Sequence, residues 1–190
     1  MEPGPAAERT LADRLKRARQ DRFVGRAAEP QAFRKALSSK AVLFVHGPGG
    51  VGKTALLGVF AELAAEAGRP VARVDGRAVR AVSHGISGAV GEPSPGLVLL
   101  LDTYELLEPV DVWLRETYLP SLPADALVVI AGRNPPAVAW LADPGWRSLL
   151  EVVPLRNLAP AESRELVFPA AAALLHLGGS HRAVALVKSS

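Results

Sequence analysis

The chain has 190 residues, of which 49% are hydrophobic, and a formal net charge of +3. That is enough for one domain with a substantial core and too little for two full ones. With no cysteine, disulfides, thiolate metal sites and a thiol nucleophile are excluded; no apolar run approaches the roughly 18 residues that span a bilayer, no signal pattern opens the chain, and a cytoplasmic protein is the expectation.

Residues 1–7, MEPGPAA, read as a flexible lead-in. Over 8–20, Leu11, Leu15 and Ala18 recur at helical spacing among charges, which predicts a narrow-striped amphipathic helix. Arg9, Arg14, Lys16, Arg17, Arg19, Arg22 and Arg26 crowd this part of the chain. Such a cluster can meet nucleic acid or another acidic partner. A solvated helix face is the plainer reading, because Glu8, Asp13 and Asp21 are interleaved and no aromatic residues are placed for base stacking. After Phe23-Val24-Gly25-Arg26, a second helix is expected from near Pro30 to Leu37, with proline in the first turn.

The stretch Ala41 to Phe60 organises the rest. Ala41 to Val45 is a short apolar run suited to a central parallel strand. Gly47-Pro48-Gly49-Gly50-Val51-Gly52-Lys53-Thr54 then fits G-x-x-x-x-G-K-[ST] without a mismatch. Glycines are needed because the backbone must curl until several N–H groups face one set of phosphate oxygens. A helix from Thr54 to about Ala67 adds unpaired N-terminal amides and the positive end of its dipole. By the motif's mechanics Lys53 reaches the β- and γ-phosphates and the Thr54 hydroxyl ligands Mg²⁺, with Ala55 beside it as a further nucleotide contact. A glycine-rich turn that binds nothing is the alternative.

FVGR, a short helix, a strand and then GPGGVGKT is an arrangement that resembles the nucleotide-binding domain of the STAND branch of AAA+-related ATPases. The resemblance extends over about residues 22–168 and implies a three-layer α/β/α P-loop NTPase core with a parallel five-stranded sheet in the order 5-1-4-3-2. It also makes Val24, Gly25 and Arg26 candidates for the adenine side of the pocket; a surface arginine after a turn is the other reading of Arg26.

Further along, Val71 to Val74 reads as a second strand, and Asp75 can either face the crevice or open the next turn. A short helix is expected around 77–84, where His84 reads as structural or exposed. Leu97 to Leu101 followed by Asp102 fits the Walker B pattern, a buried strand that carries one carboxylate to the sheet's C-terminal edge to hold Mg²⁺. Asp102 as the N-cap of the next helix is the alternative. Many AAA+ relatives place the catalytic glutamate directly after this aspartate; here the position is Thr103, and Glu105 becomes the candidate general base or water-orienting group in the first turn of a helix. An ordinary first-turn acid is its other reading.

A helix over 112–119, ended by Pro120 and Pro123, precedes a buried strand from Leu127 to Ala131. By the resemblance, Arg133 at that strand's end is the γ-phosphate sensor, a role suited to a guanidinium fork; pairing with a local acid is the alternative. DTYE and GRNPP stand where a GTPase would show D-x-x-G and N-K-x-D, and no acceptor site or arginine-bearing lid of a small-molecule kinase is legible. Trp140 and Trp146 are expected to anchor a short helix or irregular segment, and Leu149 to Leu155 to form the fifth strand. Beyond Phe168 the resemblance fails, since the four-helix lid and its G-x-P turn have no counterpart in 169–190.

The resulting expectation has three parts: a basic helix over 1–21, a P-loop ATPase core over 22–168 and a helical remnant of a lid over 169–190. The resemblance implies an ATP–Mg²⁺ module that hydrolyses slowly and acts as a conformational switch upon a protein partner. A non-catalytic adaptor working through its basic helix, and a phosphotransferase with an unrecognised acceptor, are the competing readings.

Overall fold

The computed structural model describes residue 10 and residues 26–79 and 83–156. The described residues from 26 to 156 belong to one compact unit. The helix expected over 8–20, the basic residues before Arg26, Val24, Gly25, and the lid remnant lie outside the described residues.

Five apolar runs become five strands: β1 Val42–His46, β2 Val71–Asp75, β3 Val98–Asp102, β4 Leu127–Gly132 and β5 Leu150–Pro154. All neighbouring pairs run parallel, in the order β2-β3-β4-β1-β5, which is the expected 5-1-4-3-2 read from the other edge. β3 and β4 are buried along their whole length because they are central and covered on both faces, which is why they read as unbroken apolar runs rather than as alternation.

On one face lies α2, Lys53–Glu66, with Leu56, Leu57, Phe60 and Ala64 buried. α1, Ala28–Ser39, lies behind it, and Phe33 of α1 stacks on Phe60 at 4.5 Å. Pro30 falls within the first turn of α1, where its missing N–H costs nothing. The opposite face carries α3, Ser83–Val90, and two short helices, α4 Val138–Ala142 and α5 Pro144–Leu149. Its core combines Phe44, Leu99, Leu101, Val128 and Ile130 with Tyr104, Leu114 and Trp140. Trp140, fully buried, meets Phe44 edge-on and Trp146 at 5.1 Å, so the tryptophans anchor α4 and α5 to the sheet.

Two expectations need correction. Where a helix was expected around 77–84, residues 76–79 form a turn, because Asp75 accepts the Arg77 backbone N–H at 2.9 Å, and the described helix is Ser83–Val90. The helix expected over 112–119 is a run of mixed pitch: 3-10 turns at Tyr104–Leu106 and Glu108–Val110, one α turn at Asp111–Trp113, a π turn at Leu114–Tyr118 and a last 3-10 turn at Leu119–Ser121. Asp111 explains this irregularity, since its Oδ1 accepts from the Tyr104 hydroxyl at 2.5 Å and from Trp140 Nε1 at 2.8 Å. Tertiary bonds to a half-buried carboxylate outweigh the regular helical pitch there. Among the described residues, no helix is long and apolar enough to cross a membrane.

Candidate nucleotide site

Parallel strands deliver their C-terminal ends to one edge, and the candidate residues converge there. The loop after β1 is gripped at its base. Gly47 donates its N–H to the Gly132 carbonyl at 3.2 Å, and the Leu155 N–H donates to the His46 carbonyl at 2.7 Å. Only glycine fits at 47, because a Cβ would sit 2.4 Å from the Leu155 carbonyl oxygen. Gly50 and Gly52 have φ of 77° and 95°, the left-handed region that lets the loop curl before α2 begins at Lys53. Pro48, Gly49, Gly50, Thr54 and Ala55 are exposed, whereas Val51 is buried as the loop's apolar anchor. The curl, the open surface and the N-terminus of a 14-residue helix together fit a polyphosphate.

Lys53 folds back over the loop and donates from Nζ to the carbonyls of Gly47 and Pro48, at 2.7 and 2.8 Å. Burial holds its ammonium below the ordinary lysine range, with Glu105 and Asp102 opposing that shift and Arg133 adding to it. The residues nominated after two strands, Asp102 and Glu105 from the end of β3 and Arg133 from the end of β4, therefore all bear on the motif lysine.

Arg26 occupies a different position from a surface arginine. Its guanidinium, with 9% of the side chain exposed, donates to the Val51 carbonyl at 2.9 Å and to the Arg156 carbonyl at 3.0 Å, and pairs with Glu29 at 3.5 Å. It ties the start of α1 to the loop and to the end of β5. Its partner in the sequence motif, Gly25, and Val24 lie outside the described residues.

Asp102 ends β3 with 8% exposure, and among the described residues it is the buried charged side chain. Its Oδ1 accepts the Thr103 N–H at 2.8 Å. It does not cap the following turn, whose cap position is Thr103, without a side-chain cap bond. No group of three or more His, Asp or Glu side chains among the described residues is placed to hold a metal alone. Asp102 and Thr54 instead offer the oxygen ligands that Mg²⁺ takes in company with phosphates and water.

Glu105 lies in a 3-10 turn rather than the first turn of an α-helix. Its Oε1 pairs with Arg133 Nε at 2.9 Å, and its Oε2 accepts the Arg133 backbone N–H at 3.2 Å. The structure thus brings together the candidate water-orienting group and the candidate phosphate sensor as partners. Beside them a cavity of about 400 Å³ is lined by Phe44, Tyr104, Glu108, Asp111 and Asn134.

One contributor, Arg77, was missed in the sequence; Asp75 opens the turn after β2, as one of its two readings had it. Asp75 and Asp102 are register partners at the ends of β2 and β3. Arg77 holds Asp75 through Nε and NH2 at 2.8–3.1 Å, and the Thr103 hydroxyl donates to Asp75 Oδ1 at 3.2 Å. Arg77 follows the end of β2 by two residues and pairs with Asp75 there, at the same edge. The only signal in the sequence is Asp-Gly-Arg directly after an apolar run, and that is a common turn.

No family model matches the chain, and no curated protein does. Its fold is similar to a RuvB variant from Thermotoga maritima, at 21% identity and a TM-score of 0.53 over 82% of this chain and 53% of that one. AMPPCP-bound DnaA from Aquifex aeolicus matches at 18% identity and 0.51, over 83% and 54%. Cdc6p from Pyrobaculum aerophilum matches at 17% and 0.50, over 90% and 52%. These neighbours are AAA+ P-loop ATPases. The chain spans about half the length of each, and at such identities the likeness is one of fold.

Proposed function

We propose that residues 22–168 are the ATP–Mg²⁺-binding core of a STAND-type regulator, with slow hydrolysis coupled to a conformational switch. The observation that carries this reading is a complete phosphate-binding loop, curled at Gly50 and Gly52 ahead of a 14-residue helix, at the same sheet edge as Asp102 at the end of β3 and the Glu105–Arg133 pair. The loop amides and Lys53 hold the β- and γ-phosphates, and Thr54 and Asp102 hold the cation. Mg²⁺, when bound, neutralises charge on the transferring phosphoryl group. Arg133 reads the third phosphate, and Glu105 orients the attacking water. The missing glutamate at position 103, and the engagement of Glu105 by Arg133, favour a slow enzyme over a fast one. A bound γ-phosphate then biases a two-state element read by a partner or a further domain.

Titration calorimetry of wild type and Lys53→Ala with ATP and GTP, with and without Mg²⁺, tests this. ATP binding that depends on Mg²⁺ and exceeds GTP binding is expected. Lys53→Ala should weaken it about a hundredfold, the scale of a charge-assisted contact worth ~3 kcal/mol. Unchanged affinity in the variant would sink the proposal.

A further inference from the structure

We infer that the Glu105–Arg133 pair is a latch that keeps the hydrolytic group blocked until a third phosphate is present. This rests on the ATP-binding reading above. Both residues are nominated for active roles, yet each occupies the other: the Arg133 Nε–H is spent on Glu105 Oε1 at 2.9 Å, and Glu105 Oε2 takes the Arg133 backbone N–H at 3.2 Å. A carboxylate whose two oxygens already accept from Arg133 has fewer free lone pairs with which to orient a water, and a guanidinium tied through Nε presents less of its fork to a phosphate.

The two partners differ in freedom. Arg133 has 68% of its side chain exposed and Glu105 only 19%. Glu105 is fixed by its 3-10 turn, by the left-handed Thr103 before it (φ 56°), and by its packing beside Gly132, where a Cβ would lie 3.7 Å from Oε2. The arginine is therefore the part that moves. When it swings to a phosphate its backbone N–H stays with Oε2, so Glu105 keeps its place and Oε1 alone is released. ADP offers no third phosphate and leaves the pair closed. By linkage, whatever Glu105 takes from the affinity of Arg133 for the phosphate, the phosphate takes from the grip of Arg133 on Glu105.

The test measures affinity rather than turnover. Calorimetry with Mg²⁺ compares AMPPNP, which retains a third phosphate, with ADP, on the full chain and its Glu105→Ala, Glu105→Gln, Arg133→Ala and doubly substituted variants. Glu105→Ala should tighten AMPPNP by about threefold to fivefold, the scale of a part-exposed pair, and leave ADP unchanged. Glu105→Gln, which keeps the side chain's bulk, should move in the same direction. Arg133→Ala should weaken AMPPNP only, and adding Glu105→Ala to it should change nothing more. A Glu105 variant that weakens AMPPNP, or that shifts both nucleotides alike, overturns the latch while leaving nucleotide binding intact. Wild type that binds neither nucleotide overturns the underlying reading and the latch with it.

Discussion

Thr103 is the described non-glycine residue with positive φ, at 56°, and a β-branched side chain there costs about 1–2 kcal/mol. Its neighbours supply the compensation. The Thr103 N–H goes to Asp102 Oδ1 and its hydroxyl to Asp75 Oδ1, while its carbonyl lies where a Cβ on residue 76 would come within 2.6 Å, so Gly76 is required. Asp75 is thus the anchor of the turn that aims Asp102 and Glu105. The side-chain hydrogen bonds from Arg77 are the main reason its pKa falls from 3.8 to about 2; burial opposes them as the next largest cause, and the Arg77 backbone N–H, the Arg77 charge and Thr103 add to the fall. A carboxylate depressed on folding stabilises the native state above its unfolded pKa, and that contribution fades as pH falls through the folded value. Asp75→Asn should therefore be less stable than wild type at neutral pH, and the gap should close between about pH 4 and pH 2. Urea midpoints of both proteins across that window give the answer; a gap that stays constant would mean that the Arg77 pair is screened to insignificance.

At the scale of elements, Arg26 joins three segments distant in sequence: the start of α1, the phosphate-binding loop through Val51, and the chain after β5 through Arg156. Removing it leaves two carbonyls without a charged donor, so Arg26→Ala should cost about 2–3 kcal/mol, and Arg26→Lys should recover only part because lysine lacks the second terminal nitrogen that pairs with Glu29 while NH2 serves both carbonyls. Guanidinium denaturation of the two variants measures this; full recovery by lysine would show that charge alone matters. Elements of this fold were legible where one physical cause dominates. The inner strands β1, β3 and β4 are apolar runs because they are buried on both faces, and the loop is a glycine pattern because its curl requires positive φ. Legibility ended where distant partners decide. Nothing local to residues 104–121 announces that Asp111 takes a hydroxyl from Tyr104 and an indole N–H from Trp140, and nothing near Arg133 announces that its partner is 28 residues upstream. For the same reason the pairing of Arg26 with loop carbonyls could not be read from FVGR.

Across the whole unit the two edges of the sheet carry different burdens. The C-terminal edge holds Lys53, Asp102, Glu105 and Arg133 with exposed loop surface around them, whereas the N-terminal edge is cross-linked by basic side chains that donate to backbone carbonyls. Arg69, just before β2, is the principal tie: Nε donates to the Gly96 carbonyl at 2.7 Å, NH1 to the Leu37 carbonyl at 2.9 Å, and NH2 to the Asp125 carbonyl. One side chain thereby fastens the end of α1 and the approaches to β3 and β4. Lys40 adds a bond to the Ser148 carbonyl at 2.9 Å on the same edge. In a parallel sheet the strands separate these edges, so stability and ligand binding should be divisible by mutation. Arg69→Ala is expected to lower stability by about 2–4 kcal/mol, because three carbonyls lose a charged donor at once. Its affinity for ATP and Mg²⁺ should stay within about twofold of wild type, since distant sites are close to additive. Saturating ATP–Mg²⁺ at a hundred times Kd should raise the thermal midpoint of wild type and of Arg69→Ala by the same several degrees, corresponding to about 2.7 kcal/mol. Lys53→Ala should show the opposite signature, near-normal midpoint without ligand and no rise with it. Differential scanning calorimetry of the three proteins with and without nucleotide resolves the two patterns, and a ligand-induced rise lost in Arg69→Ala would mean that the two edges are coupled through the sheet.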